Sequence, residues 1–212
     1  MYDEKYFQKG LETGVSLYSN YRWLPELTIP LAHFIIEHLG INRDSTVLDY
    51  GCARGYLVKA LRLLKRQAYG CDISSYAIEH CDDAVKDYVF KCAPANIYEI
   101  SYQMRTAMID YIISKDVLEH VDYQVIRPLL KEMALHCKKA FFVIPLGDGK
   151  KYNVPAYELD STHIIREDSI WWRKLFMDAG FEVLQSSYLV DGIKDNWSEH
   201  YKGNGFFLLE SK

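Results

Sequence analysis

Acidic residues and glycines stand close together in the stretch of residues 46–57, which reads TVLDYGCARGYL. An apolar, β-branched run ends at Asp49 and is followed at once by a turn that contains Gly51 and Gly55. Glycines allow the backbone to bend sharply and to approach a ligand closely, and the helix predicted after the turn offers unpaired N–H groups at its start. These features are typical of a loop that binds a nucleotide-type cofactor.

The spacing of the glycines argues against a dinucleotide. A Gly-x-Gly-x-x-Gly fingerprint starting at Gly51 would need two further glycines, at positions that Ala53 and Tyr56 occupy. Asp49 would also repel a phosphate, whereas its carboxylate can accept hydrogen bonds from an ammonium group or from water. The loop therefore favours a cofactor that is positively charged and lacks phosphates.

Residues 47–55 resemble motif I of the class I S-adenosylmethionine-dependent methyltransferases, an apolar strand and an acid followed by x-Gly-x-Gly-x-Gly. The similarity extends from about residue 44 to the C-terminus. Ala53 departs from the motif, where the middle glycine is most common, and a methyl group is tolerable there if its φ is negative. The resemblance implies S-adenosylmethionine as cofactor, with S-adenosylhomocysteine as product. It also implies an α/β, Rossmann-like fold: a seven-stranded, mostly parallel sheet with helices on both faces and an antiparallel last strand between the fifth and the sixth.

A second acid, Asp72, ends the next predicted strand and follows Asp49 by 23 residues. That interval suits one helix and one short strand, as in a βαβ unit. An acid at this place lies beside the first loop, where its two oxygens can accept both ribose hydroxyls. We therefore expect Asp72 to bind the ribose and Ile73 to pack against the adenine. The alternative is that Asp72 only caps the following helix.

The resemblance implies further cofactor contacts. Ser114 and Lys115 would flank the methionine part, and Asn96 with Ile97 would lie near the adenine amino group. The family's N-terminal segment often covers the cofactor, and an Arg guanidinium and Tyr hydroxyls are groups that hold a carboxylate. The full set of predicted cofactor-binding residues is Tyr21, Arg22, Asp49, Gly51, Ala53, Gly55, Asp72, Ile73, Asn96, Ile97, Ser114 and Lys115. The alternative for residues 1–24 is an arm or a short helix that only caps the domain.

The segment KDVLEHV at 115–121 resembles a signature of many small-molecule methyltransferases, which places Asp116 near the transferring methyl group. Glu119 and His120 could act as general bases, or they could cap and brace the next helix. An Asp-x-x-His pattern, Asp160 to His163, also recurs in the family. We predict His163 as the first candidate base and His120 as the second. The predicted substrate contacts are Asp116, Tyr18 and Trp197.

Hydrophobic periodicity predicts the elements that position these residues. The predicted helices span 25–39, about 56–64, about 75–86, about 123–138 and 167–179. The predicted strands are TVLD, AYGCDIS, YVFKC, IDYIIS, AFFVIP, FEVLQSSYLV and GFFLLES. We expect an N-terminal cap and helix at 1–40 and a single globular methyltransferase domain at 41–212.

Composition excludes several function classes. The chain has 212 residues, a net charge of −4 and no dense Lys/Arg cluster, so nucleic acid is not expected as a partner. Five scattered cysteines without a Cys-x-x-Cys pair predict neither a disulfide framework nor a metal site. The polar N-terminus resembles no signal peptide, and the longest apolar run is too short to span a bilayer. We expect a cytoplasmic monomer or homodimer without membrane contact.

The predicted reaction is methyl transfer to the oxygen or nitrogen of a small molecule, for example a sugar or a natural-product intermediate. One alternative is a non-catalytic S-adenosylmethionine-binding or regulatory protein, for which Ala53 and the non-acidic segment 93–97 are the hints. Another is aminopropyl transfer, which would need several acids around the substrate amine.

Overall fold

The computed structural model describes residues 2–93, 95–195 and 199–212. These residues form one seven-stranded sheet in the order β3-β2-β1-β4-β5-β7-β6. The strands are β1 (Thr46–Tyr50), β2 (Gln67–Asp72), β3 (Val89–Lys91), β4 (Ile109–Lys115), β5 (Cys137–Pro145), β6 (Phe181–Ser187) and β7 (Asn204–Ser211). Neighbouring strands among β1 to β5 pair in parallel, and β7 pairs antiparallel with both β5 and β6. The predicted fold class, including the inserted antiparallel strand, is confirmed.

The helices are α1 (Glu4–Thr13), α2 (Pro25–Leu39), α3 (Tyr56–Leu63), α4 (Ser75–Glu79), α5 (Ile97–Gln103), α6 (Tyr123–His136) and α7 (Ser169–Ala179). The helix predicted over 75–86 is wrong in its second half. It ends at Glu79, and Asp82 begins a separate 3₁₀ helix, Asp83–Tyr88, by accepting a hydrogen bond from the Ala84 N–H. Helix α5 was not predicted from the sequence.

Side chains alternate between the two faces of the sheet, and each face carries a core. On β1, Val47 packs into the core beneath α2 and α3, while Leu48 packs into the core beneath α5, α6 and α7. Both residues are fully buried. This explains why the central strands are continuous apolar runs and not alternating ones.

Parallel strands place their C-terminal ends at one edge of the sheet. Asp49 on β1 lies level with Gly70 on β2 and with Ile113 on β4. The loops after β1, β2 and β4 therefore meet at the same edge, which is where ligands bind in such sheets. None of the helices in the described part of the chain has the length and apolar character needed to cross a membrane.

Candidate active site

The loop after β1 needs a glycine at Gly51. Its φ is +81°, which favours glycine, and a Cβ atom built there would lie 2.4 Å from a methyl carbon of Val117. The backbone N–H of Gly51 donates to the carbonyl oxygen of Cys71 at 2.8 Å. The loop is thus held against both the β2 and the β4 side of the edge.

Ala53 does not meet the condition under which the sequence made a methyl group tolerable, a negative φ. Its φ is +47°, a left-handed conformation that costs an L-residue with a Cβ about 1–2 kcal/mol. The compensation is a hydrogen bond from the Ala53 N–H to Oδ2 of Asp72, at 2.8 Å. The turn therefore keeps the conformation that a glycine would adopt, although an alanine occupies it.

Asp72 joins the loop to the second strand. Its Oδ1 accepts the Ser74 N–H at 2.8 Å, while its Oδ2 holds Ala53. Burial raises the pKa of Asp72, although hydrogen bonds from the backbone N–H groups of Ser74 and Ala53 oppose this shift. A carboxylate has about four acceptor sites, so these two bonds leave capacity for a ligand. The turn after β2 and the lining of the cavity thus share one side chain.

A cavity of about 260 Å³ opens beside this loop. Most of the residues that line it come from three parts of the chain: Gly51, Ala53, Asp72 and Ile73 from the first two loops, Asp116, Val117 and His120 from the segment after β4, and Tyr2, Tyr6, Phe7 and Tyr18 from the N-terminus. Helix α1 thus packs its aromatic face over a cleft at the edge of the sheet. The structure brings together residues that the sequence assigned to the cofactor and to the acceptor.

A second, more open concavity of about 410 Å³ lies on the other side of the loop. Asp49, Tyr21, Arg22 and Lys115 all line it, as does Tyr18. Asp49 is 5% exposed, and burial, assisted by the charge of Asp72, raises its pKa to about 7. Arg22 is exposed, and its guanidinium donates a 3.4 Å hydrogen bond to the carbonyl of Asn20.

Four predicted cofactor contacts do not line either cavity. Gly55 is the N-cap residue of α3, with a φ of +76°, and its N–H donates to the Cys52 carbonyl at 2.9 Å. Ser114 is buried, and its hydroxyl donates to the Tyr50 carbonyl at 3.1 Å. Asn96 caps α5: its side-chain oxygen accepts the Glu99 N–H at 3.3 Å, and its NH₂ group donates to the Glu99 carboxylate at 2.7 Å. Ile97 is buried in the core beneath α5, α6 and α7. These residues are committed to the fold, and the described lining residues do not include them.

Asp116 lines both cavities and has a φ of +57°. Its carboxylate accepts hydrogen bonds from Lys115, at 2.5 Å, and from Lys194. Burial alone would raise the pKa of Asp116, but these two ammonium groups lower it below its usual range. Lys194 also donates to Oδ1 of Asn204 at 2.7 Å. Neither Lys194 nor Asn204 was predicted as a site residue, because both lie in a segment without a recognisable motif.

The side chains of Glu119 and His120 do not cap helix α6. Asp122 is its N-cap and accepts the Gln124 N–H at 2.7 Å, so that predicted alternative is wrong. Glu119 is 0% exposed, and burial, assisted by the charge of Asp116, raises its pKa well above the usual range. The Nε2 atom of His120 lies 3.9 Å from Oε1 of Glu119.

The two predicted bases lie side by side. The rings of His120 and His163 are 4.5 Å apart between centroids. Burial lowers the pKa of both imidazoles, and the proximity of His163 further lowers that of His120, to about 4. His120 lines the cavity, whereas His163 lies behind it, 8% exposed. Trp197, the remaining predicted substrate contact, lies outside the described residues.

Comparison with known proteins agrees with this architecture. Residues 23–186 match a family of methyltransferase domains. No curated protein matches the sequence significantly.

Several solved structures resemble the chain. One comes from a complex between the Haloferax volcanii Trm112 methyltransferase activator and a proposed methyltransferase, with a TM-score of 0.66 at 15% identity over 88% of this chain and 91% of that one. An S-adenosylmethionine-dependent methyltransferase from Clostridium acetobutylicum has a TM-score of 0.63 at 14% identity, over 86% and 91% of the two chains. Another from Archaeoglobus fulgidus has a TM-score of 0.63 at 15% identity, over 89% and 97%.

Identities this low show the fold alone, whereas the family match covers more than half of the chain. The chain therefore belongs to the methyltransferase-domain family, and its fold is that of the class I, S-adenosylmethionine-dependent methyltransferases.

Proposed function

We propose that this protein transfers a methyl group from S-adenosylmethionine, the cofactor that its family and fold imply, to an oxygen or nitrogen atom of a small molecule. The observation that carries this proposal is the cavity shared by Asp72 on the cofactor side and by Asp116 and His120 on the acceptor side. A methyl group on a sulfonium is already an electrophile. The protein therefore has to align nucleophile, methyl carbon and sulfur and to exclude water.

The cofactor would extend from the cavity to the second concavity. Asp72 would accept the ribose hydroxyls, with Ile73 against the adenine. Asp49 and Tyr21 line the other end, where the amino-acid part would lie, and Arg22 is close enough in the same concavity to pair with its carboxylate. Gly51 lines both the cavity and the second concavity, and its lack of a side chain leaves room for the cofactor to pass from one to the other.

A small acceptor is supported by the lining of the cavity and by the net charge of the chain. Tyr2, Tyr6 and Phe7 form one wall of the cavity. Their aromatic rings offer apolar contact to a small molecule and leave little room for a long polymer. The net charge of −4 also argues against nucleic acid. Of the two predicted bases, His120 is the one that lines the cavity. A cytoplasmic location, the monomeric or homodimeric state and the 1–40 and 41–212 division stay predictions from the sequence.

Calorimetric titration with S-adenosylmethionine and S-adenosylhomocysteine tests this proposal. We expect micromolar binding of both, and a screen of hydroxyl and amine acceptors should then release S-adenosylhomocysteine. Release of methylthioadenosine would instead indicate aminopropyl transfer. Failure of folded protein to bind either ligand would contradict the proposal and favour loss of the cofactor site around Ala53.

A further inference from the structure

Three potential metal ligands converge behind the cavity: Glu119, His120 and His163. One candidate ligand atom from each lies within 4.8 Å of the other two. Oε1 of Glu119 is 3.9 Å from Nε2 of His120 and also 3.9 Å from Nε2 of His163. The carboxylate therefore faces the same nitrogen of both imidazoles, and the bonds of the opposite nitrogens determine what these atoms can do.

His163 presents a lone pair to Glu119. Its Nδ1 lies 2.8 Å from the carbonyl oxygen of Tyr157. A carbonyl only accepts hydrogen bonds, so Nδ1 carries the proton. In a neutral imidazole Nε2 is then unprotonated and offers a lone pair.

His120 has the same tautomer for a different reason. Its Nδ1 lies 2.8 Å from Oγ1 of Thr162. The single hydroxyl proton of Thr162 is donated to Oδ1 of Asp160 at 2.6 Å, so the hydroxyl oxygen accepts from the imidazole. Nδ1 of His120 thus carries the proton, and Nε2 again has a free lone pair.

Glu119 adds a third hydrogen-bond acceptor to the two Nε2 lone pairs, and none of the three side chains donates to another. It is fully buried, and neither of its carboxylate oxygens has a hydrogen-bond partner among the described residues. Protonation does not solve this, because an O–H group cannot form a hydrogen bond across 3.9 Å to either imidazole. An unsatisfied buried carboxyl is costly, and a cation would satisfy all three side chains together.

We propose that Glu119, His120 and His163 bind a divalent transition-metal cation of the Zn²⁺ type. Two imidazoles and one carboxylate form a ligand set that leaves positions open for water or substrate. Bonds of about 2.0–2.2 Å place tetrahedral ligand atoms about 3.3–3.6 Å apart. Oε1 of Glu119 therefore has to approach each imidazole by only about 0.3–0.6 Å, and the two imidazoles have to approach each other by at most about 1.5 Å. Hydrogen bonds from Nδ1 to a carbonyl and to a hydroxyl orient the rings as metal ligands require.

The sequence predicted no metal and a general base at His163 or His120, and a cation at this site would overturn both expectations. The sequence could not show that the three ligands lie close together in space, because His163 follows His120 by 43 residues. Both histidines would be ligands, and the open position would face the cavity that His120 lines.

The role of the cation rests on the proposed function. An acceptor hydroxyl would bind to the cation through oxygen and release its proton to a water molecule. The oxygen lone pair then forms the bond to the methyl carbon while the carbon–sulfur bond breaks, and its electron pair stays on sulfur. The products are a methyl ether and S-adenosylhomocysteine, with no change of oxidation state.

The surrounding charges favour an oxygen acceptor over an amine. Asp116 pairs with Lys115 and Lys194, and Glu119 would be ionised as a ligand of the cation, so the two carboxylates and the two ammonium groups would balance. A divalent cation adds two positive charges, which an ionised hydroxyl offsets and a protonated amine would increase. The acceptor class is therefore a compound with an acidic hydroxyl group, such as a phenol.

Titration with Co²⁺ tests the metal site directly. Chelator-treated protein without S-adenosylmethionine is titrated with Co²⁺ while its visible absorption is recorded, and Zn²⁺ and Mg²⁺ compete in parallel. We expect one cobalt ion per chain with visible d–d bands, displaced by Zn²⁺ but not by Mg²⁺, because imidazole ligands favour zinc over magnesium. Glu119→Gln and His163→Ala should each weaken binding by about 10-fold or more.

His136→Ala is the matched control. His136 also faces a carboxylate, with its Nδ1 at 3.7 Å from Oε2 of Glu132, but that pair lies on helix α6 outside the three-residue cluster. We expect this variant to bind Co²⁺ as the wild type does. Equal loss in His136→Ala, or unchanged binding in both cluster variants, would overturn the proposal.

Two measurements keep the test decisive. If the cluster variants do not fold, the wild-type melting temperature with Zn²⁺ and with chelator is compared, and no rise with Zn²⁺ would refute the site. Calorimetry with S-adenosylmethionine on the chelated protein separates the two hypotheses. Cofactor binding without cobalt binding would refute only the metal site. Cobalt binding without cofactor binding would refute only the proposed function.

Discussion

The cofactor side and the acceptor side of the cavity differ in how their polar groups are matched. On the cofactor side, the two oxygens of Asp72 hold the N–H groups of Ala53 and Ser74. On the acceptor side, both oxygens of Glu119 lack partners among the described residues. A carboxylate that already has hydrogen-bond partners is positioned before a ligand binds, whereas a buried carboxyl without partners lowers the stability of the folded protein. Backbone N–H groups thus hold Asp72 in place, whereas Glu119 has a buried carboxyl that the proposed cation would satisfy.

The variant Glu119→Leu should give the largest effect. Leucine has a similar volume and removes an unsatisfied buried carboxyl, so the metal-free protein should gain about 1–3 kcal/mol in its free energy of unfolding. Turnover should fall by about 100-fold, because the proposed cation loses its carboxylate ligand. Urea unfolding and product release measure the two quantities.

Glu132→Leu is the control for this trade-off. Glu132 also lies beside a histidine, but its side chain is 34% exposed. It should show neither the gain in stability nor the loss of turnover. A loss of stability in Glu119→Leu would mean that the carboxyl is satisfied in solution, and the contrast between the two sides would disappear.

The stability contributed by Asp49 should depend on pH. Its folded pKa of about 7 lies above the ordinary value of 3.8, because of burial and the charge of Asp72, with Lys115 opposing. The folded state therefore binds more protons than the unfolded state between these values, and stability falls as pH rises through this window. The loss approaches about 4 kcal/mol. Urea unfolding at about pH 4.5 and about pH 8 measures it.

Asp49→Asn should remove this slope. Asp110→Asn is the control: burial would raise the pKa of Asp110, but Lys138 and Thr46 lower it, so its contribution is constant across the same window. A positively charged cofactor favours ionised Asp49, so wild-type affinity should rise with pH up to about 7, with proton release on binding. An affinity that is flat with pH would show that Asp49 does not face the positive charge.

Asp72→Ala should weaken cofactor binding by about 10–100-fold, the loss expected for hydrogen bonds to a charged acceptor. Asp82→Ala is closely matched, because Asp82 accepts the N–H two residues ahead just as Asp72 does, but it lies outside the cavity. Calorimetry should find its affinity unchanged. A change within about 2-fold in Asp72→Ala would leave this residue as a cap for the turn and nothing more.

The sequence predicted the strand, turn and helix around Asp49 and the strand that ends at Asp72, because local patterns determine these elements. An acid at a strand end, a glycine turn and a helix all lie within a short stretch, and Asp72 follows after a single helix. The fold class followed from the same pattern repeated along the chain. The local pattern did not reveal the positive φ of Ala53, because the hydrogen bond that compensates for it comes from Asp72 on the next strand.

The acceptor side was harder to predict because tertiary contacts create it. His163, Lys194 and Asn204 come from segments far from Asp116 in sequence, and the order of strands β5, β7 and β6 determines their approach. Asn96 was assigned to the adenine, yet its amide caps helix α5, which the periodicity did not reveal. No pattern within one segment indicates which distant side chain will neutralise a buried charge.

Ala53→Gly should give the smallest effect, and it tests whether the matched side carries strain. Glycine removes the cost of the left-handed φ but gains freedom in the unfolded chain, so stability should rise by only about 0.5–1 kcal/mol. Cofactor affinity should stay within about 2-fold, since the N–H bonded to Asp72 is retained. Ala95, with a φ of +59° outside the loop, offers the matched variant Ala95→Gly. An equal gain at both positions would mean that Ala53 is merely strained, whereas a smaller gain at Ala53 would mean that its methyl group helps to keep the loop in its ligand-ready conformation.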